Sequence, residues 1–389
     1  MAEKTLQLIE SLQTADASVA RLFGGEGQRV RDQRYDPMDL VAAAELLERA
    51  EHSRRAMSAL QEAMSTSDFP LLFADIMDRE LLGYYSEVPT TWTSYVRSST
   101  VRDFRKAKRY AVDGAEGALD EVKELAEYPE GKLDEAFDTF DVGKFGRRLS
   151  LSWEAEINDD FDSFRRNPER LARAARRTEA RFAARLWLDE KGPHASLYKE
   201  AFNNIIKDSE GKQPVLSIAA LQLAYTLLSK MKDNDGEPIL MEAMTLVVPP
   251  ALEVTAMNIL NAVHIWTTEQ GGTEKQKLEA VNWMSNRLTL QVEPYIPYVA
   301  TKENGDTSWA LFANPNSGRA ALELGKLRGY EEPSLYEKAP DARRVGGGDV
   351  NESFDNDSMS WRVRHVLGGT RMTETGGQKA TVASNGSGK

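Results

Sequence analysis

Residues 101–149 limit most strongly what this chain can fold into, because positive and negative charges are separated along them. The two arms, 101–112 and 142–153, are basic, and their apolar residues are interleaved with polar ones. Such interleaving predicts two strands that form the arms of a long hairpin. Residues 113–141 between the arms are rich in Asp and Glu and contain only two cations. The sequence therefore predicts a hairpin with a basic stem and an acidic tip.

A hairpin of this composition buries too little apolar surface to order itself, since fixing each backbone residue costs about 1–2 kcal/mol. We therefore predict that it lies on another molecule, where the acidic tip of one copy meets the basic stem of the next. A hairpin that is simply solvated is the alternative that its charges leave open. The candidate assembly residues are Arg102, Arg105, Lys108, Arg109, Glu121, Glu124, Glu127, Arg147 and Arg148.

Composition excludes several classes of protein. The 389 residues are 41% hydrophobic and 28% charged, which is typical of soluble globular chains with two or three subdomains. No apolar run approaches the ~20 residues of a membrane-spanning helix, and the first residues have no apolar signal core. The absence of cysteine excludes disulfides and thiolate sites and fits a reducing cytoplasm. The net charge of -12 argues against binding nucleic acid by bulk electrostatics.

The clearest predicted helix is 168–188. Asn167 is a good N-cap, Pro168 fits the first turn, and apolar residues recur along one stripe. Its other faces carry arginines, of which we single out Arg173, Arg177 and Arg181. We expect these arginines to pair with carboxylates on the same or adjacent elements, and a nucleic-acid surface is the less favoured alternative.

Helices and strands are interspersed along the rest of the chain. A helix is predicted over 71–82 with a stop at Gly83, and another over 218–231 with Ser217 as its cap. The predicted strands are 244–248, 287–292 and 308–313, and a final pair, 360–366 and 370–373, that turns at Gly368 and Gly369. The end of the chain, 384–389, is predicted to be mobile.

The sequence contains no convincing catalytic, cofactor or metal site. The four histidines are far apart and lack metal-ligand spacing, so we interpret them as structural or surface residues: His52, His194, His264 and His365. Residues 233–236 resemble a calcium loop only superficially and predict a turn. Asp159, Asp160 and Asp162 keep open a cytosolic hydrolase with paired carboxylates, although a polar loop before a helix is the simpler explanation.

Four patches of sequence, in order, resemble one protein family. They are Val88-Pro89-Thr90-Thr91-Trp92 followed by Val101-Arg102-Asp103-Phe104-Arg105, then Glu156-Ile157-Asn158-Asp159-Asp160, Leu246-Val247-Val248-Pro249-Pro250-Ala251-Leu252, and Ser308-Trp309-Ala310-Leu311-Phe312-Ala313-Asn314-Pro315. Over residues 68–375 the chain is similar to tailed-phage major capsid proteins, and specifically resembles the Mu-like major head subunit group.

The resemblance implies an α+β chain with the Hong Kong 97-type capsid fold. Its parts would be an N-terminal helical arm at 1–67, the start of a peripheral domain at 68–100, an extended hairpin loop at 101–149, the peripheral domain with spine helix 168–188 at 150–214, an axial domain at 215–344, a return to the peripheral domain at 345–375, and a flexible C-terminal tail at 376–389.

The function that the resemblance implies is structural. The chain would form hexamers and pentamers of itself, which close into an icosahedral shell around a double-stranded DNA genome and contact the DNA without sequence specificity. It would need no cofactor or membrane, would catalyse no reaction, and would assemble in the host cytoplasm. Portal, scaffold or decoration proteins are further partners that the resemblance allows. The alternatives are an encapsulin-like cellular compartment shell and the hydrolase.

Overall fold

The computed structural model describes nine ranges of the chain: residues 69–113, 134–152, 167–233, 236–239, 244–262, 264–271, 274–316, 319–338 and 353–387. Outside these ranges lie the predicted arm at 1–67, residues 114–133 of the predicted acidic tip at 113–141, and residues 153–166.

Helices and strands alternate irregularly along the described ranges, as in an α+β protein. The helices are α1 (Phe69–Glu87), α2 (Asn167–Trp187), α3 (Ile218–Ser229), α4 (Glu253–Asn261) and α5 (Ile296–Val299). The strands are β1 (Arg97–Val101), β2 (Ala107–Asp113), β3 (Asp134–Phe140), β4 (Val142–Ser152), β5 (Leu188–Asp189), β6 (Gly192–Pro193), β7 (Met244–Val248), β8 (His264–Gly271), β9 (Glu274–Val281), β10 (Leu288–Val292), β11 (Trp309–Ala313), β12 (Leu322–Leu327), β13 (Ser334–Glu337), β14 (Ser358–Arg371) and β15 (Thr381–Ser384). The predicted α+β class is confirmed.

The chain divides into two compact units. The first comprises Met1–Pro89, Gly143–Thr178 and Leu327–Leu367, and the second comprises Thr90–Val142, Glu179–Lys326 and Gly368–Lys389. Helix α2 and strand β14 each begin in the first unit and end in the second. The assignment of chain segments to a peripheral and an axial domain stays a prediction.

In the first unit, helical residues pack beside two strands. Strand β13 pairs antiparallel with β14, from Ser334 opposite Arg364 to Glu337 opposite Trp361. Among the described residues of this unit, one apolar cluster is formed by Leu81, Tyr85, Leu171, Ala172, Ala175 and Val363. Leu335 packs against this core, and its backbone N–H donates to Asp78 Oδ1 at 2.9 Å.

Helix α1 passes through the predicted stop at Gly83 and continues to Glu87, so that prediction is wrong. Gly83 does not adopt the positive φ that a glycine stop requires. Instead Gly83 is buried, and Ser86 Oγ donates to its carbonyl oxygen at 2.8 Å. Gly83 therefore lies within α1 and does not end it.

The second unit is built around a four-stranded sheet in the order β10-β7-β11-β15. Strand β10 is parallel to β7, whereas β11 is antiparallel to both of its neighbours. Because side chains alternate across a strand, Val247, Ala310 and Phe312 belong to a core on one face, and Leu246, Leu311 and Val382 to a core on the other. The sheet is thus covered on both faces.

Strand β15 corrects the prediction of a mobile C-terminal tail. Thr381, Val382, Ala383 and Ser384 are all buried and pair antiparallel with β11. The small and β-branched side chains of this strand fit between the two cores, and its backbone completes the edge of the sheet. The local composition does not reveal that β15 is buried, because its partner strand β11 is distant along the chain.

Gly368 and Gly369 do not form the predicted turn between two strands, because β14 runs without interruption from Ser358 to Arg371. A Cβ at Gly368 would overlap the carbonyl oxygen of Asp141, and a Cβ at Gly369 would lie 2.5 Å from the carbonyl oxygen of Glu323. The two glycines therefore allow neighbouring backbone to approach closely.

Helices predicted from their caps agree with the structure. Helix α2 begins at Asn167 and ends at Trp187. Helix α3 begins after Ser217, whose Oγ accepts from the backbone N–H of Ala220 at 3.2 Å. In both helices the start is encoded by residues within one turn of it.

Candidate assembly site

The predicted hairpin differs in its pairing from the sequence interpretation. Residues 102–106 interrupt the first arm, where the backbone N–H of Arg105 donates to Asp103 Oδ1 at 3.0 Å and so replaces strand pairing. Strand β2 pairs antiparallel with β3, from Ala107 opposite Phe140 to Asp113 opposite Asp134. The predicted return arm is strand β4, which pairs with β14 instead. The β2–β3 ribbon takes the place of the predicted pair of arms, and we call this ribbon the stem.

One face of the stem is packed against the second unit. Phe140 is buried, and its ring lies against Gly325, where a Cβ would be 2.5 Å from Phe140 Cε2. Asp138 is also buried and accepts from the backbone N–H groups of Glu374 and Thr375 and from Thr375 Oγ1, the last at 2.6 Å.

Arg109 completes this packed face. Its Nε donates to Glu323 Oε1 at 2.5 Å, and Ser99 Oγ donates to the same oxygen at 2.5 Å. The Glu323 side chain is 1% exposed, so its negative charge is balanced by Arg109 and hardly reaches solvent. The guanidinium of Arg109 also lies 5.4 Å from the ring centroid of Phe140. Strand β2 is thereby fixed to strand β12.

The opposite face of the stem is exposed. Tyr110 and Phe137 are opposite each other in register, with ring centroids 5.8 Å apart, and they are 61% and 46% exposed. Lys108 Nζ lies 4.8 Å from the Phe137 ring centroid. This face combines a cation with a pair of solvent-exposed aromatic rings, a composition that suits a protein contact.

The predicted assembly cations fall into two groups. Arg109 is engaged by Glu323, and Arg148 Nη2 donates to Ser360 Oγ at 2.7 Å, so both side chains are held within the chain. The other cations are exposed and available to a partner: Arg102, Arg105, Lys108 and Arg147. Glu121, Glu124 and Glu127 lie outside the described residues. The docking role of all these residues stays a prediction.

The anchors Asp138, Glu323 and Thr375 were missed from the sequence. Glu323 lies between Leu322 and Leu324 in β12, a strand in which five of six residues are buried. A carboxylate inside such an apolar run signals a buried partner, although the run does not say which cation supplies it.

The three arginines singled out on α2, Arg173, Arg177 and Arg181, all have exposed side chains. Arg173 pairs with Glu169 one turn earlier in the helix. Arg176, on another side of the helix, donates from Nε to the carbonyl oxygen of Tyr85 at 2.9 Å. The Arg173–Glu169 pair fits the expected pairing with a carboxylate of the same element, whereas the partner of Arg176 is a backbone carbonyl.

Glu293 is a buried acid that the sequence analysis did not single out. Its Oε2 accepts from Thr91 Oγ1 at 2.7 Å and from the Tyr95 hydroxyl at 3.1 Å. Burial raises the pKa of Glu293 above its usual value, and the hydrogen bonds only partly oppose this effect. Burial, together with the nearby Glu293 charge, also raises the pKa of Tyr95 well above its usual value.

Two of the four histidines, His194 and His365, fit structural roles. Burial, with a smaller contribution from Arg371, lowers the pKa of His194, whose Nδ1 accepts from the backbone N–H of Ser196 at 3.1 Å. His365 is buried, with its ring centroid 6.0 Å from that of Tyr85. His52 lies outside the described residues, as do Asp159, Asp160 and Asp162. Within the described ranges no cluster of acidic or histidine side chains could hold a metal ion.

At the turn predicted over 233–236, Asp233 Oδ1 accepts from the backbone N–H of Glu237 at 2.8 Å, and Asn234 and Asp235 lie outside the described residues. Among the helices that the structure describes, none has the length and apolarity needed to cross a bilayer.

The chain matches a known protein family over more than half of its length. Residues 136–380 match the family described as "Phage capsid protein". The chain belongs to this family. The resemblance to phage capsid proteins that was drawn from the four sequence patches is therefore confirmed. As a phage capsid protein, it is a structural protein of the virion capsid.

Among solved structures, this capsid protein is similar to a chain of Gordonia phage Cozz, with 11% identity, a TM-score of 0.45, and coverage of 76% of this chain and 87% of that one. It is also similar to a chain of Microbacterium phage Oxtober96, with 10% identity, a TM-score of 0.45, and coverage of 76% of this chain and 91% of that one. A third similar structure is a virus-like particle from Pyrococcus furiosus, with 12% identity, a TM-score of 0.44, and coverage of 80% of this chain and 99% of that one. These likenesses are distant, and the family assignment rests on the sequence match. No curated protein matches the chain.

Proposed function

We propose that the chain is the major head subunit of a tailed phage, with the Hong Kong 97-type arrangement of arm, hairpin loop, peripheral domain and axial domain. Copies of it form hexamers and pentamers, which close into an icosahedral shell around double-stranded DNA. The match of residues 136–380 to the phage capsid family carries this proposal. It favours a phage shell over a cellular compartment and over a hydrolase.

Assembly, in this proposal, depends on packing rather than on catalysis. The stem is fixed on one face by Arg109 and Asp138, and its other face exposes Tyr110 and Phe137. A ribbon held in this way presents its free face in a defined direction. The acidic tip, which lies between the two strands of the stem in sequence, then meets exposed cations of a neighbouring copy.

Expression of the chain alone tests the proposal, with negative-stain imaging and sedimentation velocity as readouts. Closed shells or isolated capsomers are the expected products. A protein that stays monomeric at high concentration, even when a scaffold and a maturation protease from the same phage are co-expressed, would contradict it.

A further inference from the structure

Helix α2 carries a row of exposed arginines along one side. Arg170, Arg173, Arg177, Arg181 and Arg185 are all exposed, and successive members are three or four residues apart. At 100° per residue they fall within an arc of about 120°, and at 1.5 Å per residue they extend over roughly 22 Å. We call this row the arginine stripe. Its spacing follows from one uninterrupted helix.

The stripe is scarcely neutralised by the rest of the described chain. Arg173 has Glu169 as its partner, whereas Arg170, Arg177, Arg181 and Arg185 form no ion pair with any residue that the structure describes. The other glutamate of α2, Glu179, is fully buried, and its Oε1 lies 2.8 Å from Lys326 Nζ. The helix thus concentrates positive charge at its surface in a chain whose net charge is -12.

The chemistry of the stripe fits phosphates arranged in a line. All five cations are arginines, whose planar guanidinium groups match phosphate oxygens bidentately, and none is a lysine. Successive guanidiniums advance about 4.5–6 Å along the helix axis. Each strand of duplex DNA carries a phosphate about every 3.4 Å along its axis, so several arginines can meet phosphates together.

We propose that the arginine stripe binds the phosphate backbone of duplex DNA without reading its sequence. The inference rests on the proposed function, in which the shell encloses double-stranded DNA. Binding is electrostatic and releases counterions, so it weakens steeply as the salt concentration rises. An acidic segment of a neighbouring copy is the competing occupant, which the experiment below distinguishes.

The test compares the full chain with a variant in which Arg170, Arg177, Arg181 and Arg185 are all replaced by Gln. Gln keeps the helix propensity, so the helix is retained. The control replaces the same number of exposed cations elsewhere: Lys230, Lys232, Arg287 and Arg328, all by Gln. Fluorescence anisotropy with a labelled duplex of about 25 base pairs gives the affinity across a series of NaCl concentrations.

We expect the stripe variant to bind the duplex at least about tenfold more weakly than the control at moderate salt. Its slope of log K against log salt should be shallower by about 0.9 for each phosphate that the variant no longer neutralises. Equal affinities and slopes for the two variants would overturn the inference. A stripe variant with unchanged affinity but a lower melting temperature would also overturn it, since the stripe would then pair with carboxylates of the protein.

Negative-stain imaging of the same preparations separates this inference from the proposed function. Shells formed by a wild-type chain that shows no stripe-dependent binding would overturn the inference alone. Stripe-dependent binding by a chain that never forms shells, with scaffold and protease supplied, would support the inference and count against the proposed function.

Discussion

Among the described residues of the second unit, four carboxylates are almost completely buried, and each is held by donors in the same unit: Asp138, Glu179, Glu293 and Glu323. Two of them, Glu179 and Glu323, face a cation, whereas Asp138 and Glu293 accept hydrogen bonds from neutral hydroxyl and backbone groups. A buried carboxylate is tolerated only with such partners. Removal of a partner should therefore cost more than removal of an exposed side chain.

Replacement of Arg109 by Ala should lower the free energy of unfolding by about 2 kcal/mol, because Glu323 would keep its burial and lose its cation. Lys108→Ala is the matched control, since Lys108 is the next residue and lies on the exposed face of the stem. We expect the control to change stability by less than about 0.5 kcal/mol. Urea denaturation of both variants measures the difference, and equal losses of stability would contradict the anchoring role of Arg109.

Glu293 should make stability depend on pH. Because burial raises its pKa in the folded protein, the folded state binds a proton more tightly than the unfolded state does. The stabilisation is complete below the unfolded pKa of about 4.5 and is lost as pH rises through the higher folded pKa. Glu293→Gln mimics the protonated acid, so the melting temperature of wild type relative to this variant should fall as pH rises from 4 to 7.

Thermal melts in buffers of matched ionic strength measure this effect. A Glu303→Gln control changes an exposed carboxyl and should keep the pH dependence of wild type. A melting temperature of wild type that instead rises with pH relative to Glu293→Gln would show that Glu293 is stabilised in its charged form.

Residues of this kind were only half visible in the sequence. The charges of the stem were identified, but Arg109 was grouped with the cations that face a partner. Its neighbour Glu323 is 214 residues away along the chain, and no local pattern joins the two. Periodicity indicates which side chains face inward, whereas the identity of a buried partner depends on the fold.

At the scale of elements, local signals succeeded where they are physically sufficient. Asn167 and Ser217 marked the starts of α2 and α3 because a cap acts within one turn. Gly83, Gly368 and Gly369 were misread as stops or turns. The requirement for glycine at Gly368 and Gly369 comes from backbone that approaches from elsewhere in the chain, which the sequence around a glycine does not reveal.

Gly368→Ala should destabilise the protein by about 1–3 kcal/mol, because the new methyl group would meet the backbone of Asp141 and Val142. Gly143→Ala is the control, since the nearest atom to its added Cβ is Phe145 Cε2 at 3.8 Å, an ordinary contact. Both glycines lie in strands, so the loss of backbone freedom is similar. Chemical denaturation of the two variants should show a loss of stability for Gly368→Ala alone, and similar stabilities would refute the close-approach explanation.

For the whole molecule, the sequence pointed to assembly through two independent routes. The separation of charge in the hairpin favoured a repeating partner, and the four ordered patches favoured a capsid family. The family match confirms the second route. Docking through the charged hairpin stays a prediction. The predicted pairing of the two arms was wrong, because charge pattern does not determine which strand pairs with which.

Reversal of Glu121, Glu124 and Glu127 to Lys should block shell formation while the subunits stay folded, because the tip would then repel the exposed cations of a neighbouring copy. The control reverses three acids elsewhere that have exposed side chains: Glu303, Asp306 and Glu332. Sedimentation velocity gives the assembled fraction, and circular dichroism reports the fold. Normal particles from the tip variant would refute docking through the tip.

The position of β15 in the central sheet also has a consequence for the timing of synthesis. Strand β11 pairs with β7 on one side and with β15 on the other, and the β15 side stays uncovered until the ribosome has translated beyond Ser384. At roughly 5–20 residues per second, about 7–30 s separate the synthesis of β7 from that of β15. A nascent chain thus lacks a finished second unit until its last strand emerges. Translation itself delays the moment at which a subunit becomes competent to join a growing shell.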